Sequence, residues 1–211
     1  MQVFKQPVFY IIIVVAIAIA AGWTYFSNKN KAPAETPVAE EQKVSNLTNL
    51  DPKDFDSVVK EEYALAKAKA VEANAGNELS SIEVTVSADL NAEKTNTRYI
   101  FSSPTDTINN WMITISTLNQ SYIRALIPKD DYAGELTKID TGNWKYNYVT
   151  ALQLAEQNSG LSWREQNTLT NLKLTLKNSS TGSLIWIAEY NSSDSNNTVK
   201  LDAKTGKVVE E

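Results

Sequence analysis

Carboxylates are the chemistry-bearing side chains this chain has in abundance: 25 Asp and Glu, with no His and no Cys. Without imidazole or thiol, the Ser-His-Asp and Cys-His nucleophile systems, the usual zinc sites and any disulfide framework are excluded. What remains is an Asp/Glu pair of the glycosidase kind, which needs two carboxyls about 5–10 Å apart across a cleft, or a carboxylate loop for calcium. Asp51, Asp54 and Asp56 are spaced suggestively for calcium. Pro52 and the missing loop glycine oppose an EF-hand, and acids ahead of a helix already favour its dipole. Asp194 to Asp202 lacks the glycine as well. The chain therefore reads as non-enzymatic, with no catalytic residue, no cofactor and no metal expected; a carboxylate-dependent cell-wall hydrolase is the enzymatic alternative. Trp144, Tyr146, Tyr148 and Trp163 form either an exposed binding patch or a cover for a helix-sheet core.

Everything else is arranged by Val8 to Phe26, which has no charged residue. Its 19 positions make a helix of roughly 28 Å, near the bilayer's hydrocarbon thickness, and Trp23, Tyr25 and Phe26 are aromatics of the interfacial kind. It reads as a transmembrane signal anchor. The alternative is a cleaved signal with Lys5 as the basic region and Ala18-Ile19-Ala20 as the cleavage site. Either way the remainder is expected outside the cytoplasm. After Lys31 the chain carries 17 basic against 25 acidic residues, a net −8, without a basic cluster, which argues against a nucleic-acid partner.

The expected organisation is a cytoplasmic tail (1–7), the span (8–26), a flexible linker (27–54), a first α+β repeat (55–140) and a second (141–211). A helix starting near Asp56 or Ser57 places Val59, Tyr63, Ala66, Ala70 and Ala73 on one stripe and ends at Asn74-Ala75-Gly76, with Gly76 in a left-handed cap. Ile82, Val84, Val86, Ala88 and Leu90 alternate as a strand, followed by candidates at Thr97 to Ser102, Trp111 to Ser116 and Tyr122 to Ile127. The order then recurs. Tyr148, Ala151, Leu152 and Ala155 make a second stripe ending at Asn158-Ser159-Gly160; Leu172 to Leu176, Leu184 to Tyr190 and Val199 to Ala203 alternate as strands. The fold class expected is α+β: a transmembrane helix followed by two tandem helix-plus-antiparallel-sheet units, each helix covering its own sheet. Five Asn-x-Ser/Thr sequons read as turn composition.

The stretch from Tyr148 to Val209 resembles a PepSY domain. The carrying residues are Ala151, Ala155 and Gly160 of the helix, Trp186 and Tyr190 of the aromatic strand, and the closing run Val199 to Val209 with its Asp202-Ala203-Lys204-Thr205-Gly206 turn. Residues 57–134 lack such a turn and are a second copy by order alone. The resemblance implies a membrane-anchored, extracytoplasmic, non-catalytic interaction module with a protein or peptide partner, an envelope peptidase among them. A structural or sensory accessory domain of an envelope complex is the alternative. Read physically, Asp202 caps a turn and Gly206 supplies positive φ.

Overall fold

A computed structural model describes residues 46–116, 121–132 and 136–210. Helix α1 (Pro52–Ala73) begins earlier than the stripe suggested. Asp51 is its N-cap, accepting from the Lys53 N–H at 2.9 Å, and Pro52 sits at the first position, where its missing N–H costs nothing. Four strands follow: β1 (Glu78–Val86), β2 (Asn96–Ser102), β3 (Asn109–Ser116) and β4 (Tyr122–Pro128). Helix α2 (Tyr148–Ala155) is capped by Asn147, whose Oδ1 accepts from the Thr150 N–H at 2.9 Å. It runs through a π-helical turn (Glu156–Gly160) into α3 (Leu161–Gln166), after which come β5 (Asn171–Asn178), β6 (Leu184–Asn191) and β7 (Asn196–Asp202).

The strands make one seven-stranded antiparallel sheet in the order β4-β3-β2-β1-β5-β6-β7. This corrects the expected fold class. The two helix-then-meander runs do not build two sheets, because their first strands pair: Ile82 lies opposite Leu176, Val84 opposite Leu174 and Val86 opposite Leu172. A separate sheet would have left a bare edge of unpaired N–H and C=O groups on each first strand, and the β1–β5 pairing satisfies both. The sheet runs across the boundary expected between residues 140 and 141, and the chain from Val44 to Glu211 forms one unit. The transmembrane part of the expected fold is not met in what the structure describes: among the described residues no helix is long and apolar enough to cross a membrane. The expected span, Val8 to Phe26, and the tail before it lie outside the described residues, as does most of the linker.

The described helices α1, α2 and α3 lie on one face. From α1, Val59, Ala66 and Ala70 are buried against β2 and β3; from α2, Ala151, Leu152 and Ala155 are buried against β6 and β7. The sheet supplies Ile82, Tyr99, Ile113, Leu174, Trp186 and Leu201 to the same core. Glu62 of α1 is buried there too, and its Oε2 accepts from the Tyr99 hydroxyl at 3.2 Å. Trp186 is 1% exposed. Its indole N–H donates to the Tyr146 carbonyl at 2.9 Å, the same oxygen that takes the Trp144 N–H at 2.9 Å, which fixes the chain entering α2 to the middle of β6.

Two expected endings differ. Gly76 is not left-handed; α1 ends on Asn74, whose Oδ1 accepts from the Gly76 N–H at 2.8 Å. Gly160 does not end α2 but lies inside a helical run, since a Cβ there would collide with the Tyr190 hydroxyl and crowd Glu156. β1 also stops at Val86, and Leu90 turns the chain at φ +54°. Gly206 does have positive φ, +71°.

Trp186→Ala should remove about 3–5 kcal/mol by opening a core cavity, whereas Trp186→Phe, which keeps most of the volume and loses the bond to Tyr146, should cost clearly less. Gly160→Ala should destabilise despite alanine's better helix propensity, because the added methyl meets Tyr190. Thermal melts of the three against wild type check the order; a stabilised Gly160→Ala would show that the close approach is not limiting.

Candidate functional site

With both helical runs on one side, the other face of the sheet carries the polar residues Glu83, Arg98, Lys173 and Thr175 beside the buried Ile100 and Ile185. Glu83 of β1 sits near its centre, opposite Arg98 of β2 and Thr175 of β5. Its carboxylate is 9% exposed as a residue and is held from three directions. Lys173 Nζ lies 3.0 Å from Oε1, Arg98 lies 4.0 Å from Oε2, and the Tyr132 hydroxyl donates to Oε1 at 2.9 Å. A carboxylate drawn this far from water needs such partners. Tyr132 comes from the chain that leaves β4 and crosses back toward β1. Burial, opposed by the hydrogen bond to Ser81 and aided by the charge and hydrogen bond of Glu83, pushes its phenol from 10.0 up to about 12.

That crossing chain roofs one end of the open face and leaves a groove of about 500 Å³, lined by Glu78, Ser103, Pro104, Asn110, Lys129 and Tyr132 among others. Its cations are positioned rather than loose. Lys129 Nζ donates to the Ser103 carbonyl at 3.2 Å, and Lys138 Nζ pairs with Glu78 at 2.6 Å. Asn110 is 2% exposed beneath it. A mixed apolar and charged trough at the end of a sheet face has the chemistry to hold a peptide segment by side-chain contacts and backbone hydrogen bonds.

The residues singled out by sequence fall elsewhere. Ala151 and Ala155 are core contacts of α2, and Trp186 and Tyr190 are core residues of β6. Gly160 and Tyr190 meet at the π turn, where the buried Glu156 is paired with Arg164, its oxygens accepting from Nε at 3.1 Å. Burial first, and then Glu156, pushes the Tyr190 phenol well above its ordinary range. Asp202 Oδ1 accepts from the N–H groups of Lys204 at 3.0 Å and Thr205 at 2.7 Å and from the Thr205 hydroxyl at 2.9 Å. Burial raises its carboxyl, and these bonds outweigh that and hold it below its usual value. Asp202, Thr205 and Gly206 thus form one turn, some distance along the chain from the groove.

The aromatic set is split three ways. Trp144 and Tyr146 line a smaller groove of about 360 Å³ with Tyr63 of α1. Tyr148 is 1% exposed and packs edge-on to Phe55 at 5.5 Å. Trp163 packs on Tyr190 at 6.1 Å. Asp51 and Asp56 serve α1's start, Asp56 accepting from Asn147 Nδ2 at 2.7 Å. Among the described residues no group of three acids is placed to hold a metal ion. Glu83, Asn110, Lys129 and Tyr132 were missed. The signal available for Glu83 was its place on the polar phase of an otherwise apolar strand; for Tyr132 there was none.

No protein-family model matches the chain, and no curated protein does. Among solved structures, the chain is similar to a Clostridium difficile 630 protein described as a lipoprotein, at 14% identity over 78% of this chain and 96% of that one, with a TM-score of 0.45. The PepSY resemblance of Tyr148 to Val209 thus has no family-level match behind it, and it is set aside.

The raised phenol of Tyr132 gives a testable alkaline limb. A group whose folded pKa lies above its unfolded value contributes stability that is complete below the unfolded value, 10.0, and is lost as pH rises through about 12. Urea midpoints should therefore fall between about pH 10 and 12, and Tyr132→Phe should flatten that fall without abolishing it, because Tyr99 and Tyr190 are raised too. An unchanged slope in the variant would contradict the Glu83 contact.

Proposed function

We propose that the unit Val44–Glu211 is a non-catalytic protein- or peptide-binding module acting outside the cytoplasm, with an envelope peptidase as the partner class to test first. The observation that carries the reading is the sheet face opposite α1 and α2, with its roofed groove at Ser103, Asn110, Lys129 and Tyr132. A sheet whose second face is, among the described residues, only partly covered presents a broad, rigid surface. Here the buried carboxylates Glu83 and Glu156 are each neutralised by neighbouring cations, which suits positioning and recognition. The location rests on the sequence, where an uncharged apolar run precedes a long polar region.

A photo-cross-linking residue at exposed Pro104, on the groove rim, should capture a discrete protein species in envelope extracts. The same residue at exposed Ser193, in the β6–β7 turn, should not capture it. Lys129→Glu should cut the yield by about tenfold or more, as for a contact at the centre of an interface. If the captured species is a peptidase, adding the purified protein should change its rate on a peptide substrate. Equal capture from both positions, or none from Pro104, removes the groove as the binding site.

A further inference from the structure

The two edges of the sheet are finished differently. At β7 the chain turns at Asp202 to Gly206 and lays Lys207 to Val209 along the strand. The Asp202 N–H donates to the Lys207 carbonyl at 2.8 Å and the Val209 N–H to the Lys200 carbonyl at 3.0 Å, so the tail occupies the Lys200–Asp202 end of that edge. At β4, among the described residues, only β3 pairs with the strand. The ladder between them is bracketed by Ser116 N–H to Ser121 carbonyl at 3.1 Å and Lys129 N–H to Ile108 carbonyl at 2.8 Å. With a period of two, Ser121, Ile123, Ala125, Ile127 and Lys129 turn their backbone groups inward to β3. Tyr122, Arg124 and Leu126 turn theirs outward, and Pro128, which has no N–H to offer, falls in the same outward set, the place where a sheet tolerates proline.

The side chains of this edge are apolar where a solvent edge is expected to be charged: Ile123 is 68% exposed, Leu126 51% and Tyr122 43%. We propose that the occupant of this edge is a second copy of the same chain, β4 pairing antiparallel with β4 about a two-fold axis at Ala125. The register follows from the strand itself. Placing the axis at Arg124 would set two guanidinium groups against each other, directly opposed like charges being unfavourable. Placing it at Ala125 sets the smallest side chain of the strand against itself. It also stacks Ile123 on the partner's Ile127 on the open face, and lays Leu126 beside the stem of the partner's Arg124. That guanidinium is already drawn 5.2 Å over the Trp111 ring and away from the edge. Tyr122 then faces Pro128 at the end of the ladder, where only the Tyr122 carbonyl lacks a donor. Because a two-fold pairing uses the same edge of β4 on both copies, it closes at two copies instead of extending into a fibre.

The proposal does not depend on the groove, and the absence of cysteine from the chain allows a clean test. In this register Ala125 is a non-hydrogen-bonded pair across the axis, with Cα atoms about 4.5 Å apart, within the roughly 4.4–6.8 Å that a disulfide spans. The full-length Ala125→Cys protein under mild oxidation should run mostly as a covalent dimer on a denaturing gel, while Ser193→Cys at an exposed turn should remain monomeric. Adding Ile123→Lys to Ala125→Cys should reduce the cross-link by at least about tenfold while leaving the circular-dichroism spectrum of the folded chain unchanged, since Ile123 is largely solvent-exposed in one copy. Sedimentation of the wild type should give a dimer that Ile123→Lys converts to monomer. Cross-linking of Ala125→Cys no greater than that of Ser193→Cys, a dimer that survives Ile123→Lys, or linkage of position 125 to a different protein in its native envelope each overturns the proposal.

Discussion

The pairing of β1 with β5 is the contact on which the rest of the structure depends. β1 stands at the centre of the seven strands, with β2, β3 and β4 on one side and β5, β6 and β7 on the other. It is buried almost throughout, from Leu79 to Glu83 without a break. On the helical face Ile82, Val84 and Val86 align with Leu176, Leu174 and Leu172, so one apolar stripe continues across the join. Because the side-chain period of a strand is two, this register decides on which side both helices must sit. A slip of one residue would turn the leucines of β5 to the open face.

Everything functional in the reading above is a consequence of that shared face. With both helical runs committed to the same side, Glu83, Arg98, Lys173 and Tyr132 are left on the other. Among the described residues they are covered by the chain from β4 back to β1, which ends with the Ile139 N–H donating to the Leu79 carbonyl at 2.8 Å. The connection is long because it must travel from the outermost strand to the central one. Its passage over the sheet creates both the groove and the carboxylate clamp.

The helical face is held by a few shared groups. The Tyr146 carbonyl takes two indole N–H donors, from Trp144 and Trp186, and so ties the entry of α2 to the middle of β6. At the other end of that run the π turn brings Glu156, Arg164 and Tyr190 together around Gly160. An extra residue in the helical turn re-aims side chains, and here it directs Glu156 toward Arg164 and Tyr190 instead of solvent.

The sequence by itself determined the local structure of the described chain. Alternation at Ile82 to Val86, Leu172 to Leu176 and Leu184 to Tyr190 specified strands with one buried face. The three- and four-residue spacing of Val59, Ala66 and Ala70 specified α1, and Asp202 with Gly206 specified a turn. These depend on neighbours within a few residues, which periodicity and turn chemistry record directly. Gly76 and Gly160 were misread because a helix stop and a close approach both call for glycine, and only Tyr190, thirty residues on from Gly160, distinguishes them. Tertiary structure alone decided that the two meanders share a sheet. Each strand carries the same alternation whether its neighbour is β2 or β5, and the free energy of satisfying two bare edges is not written into either strand. It also decided the site: Glu83, Lys173 and Tyr132 are distant along the chain, and they meet because the order of strands and the path of one connection place them on the face opposite α1 and α2.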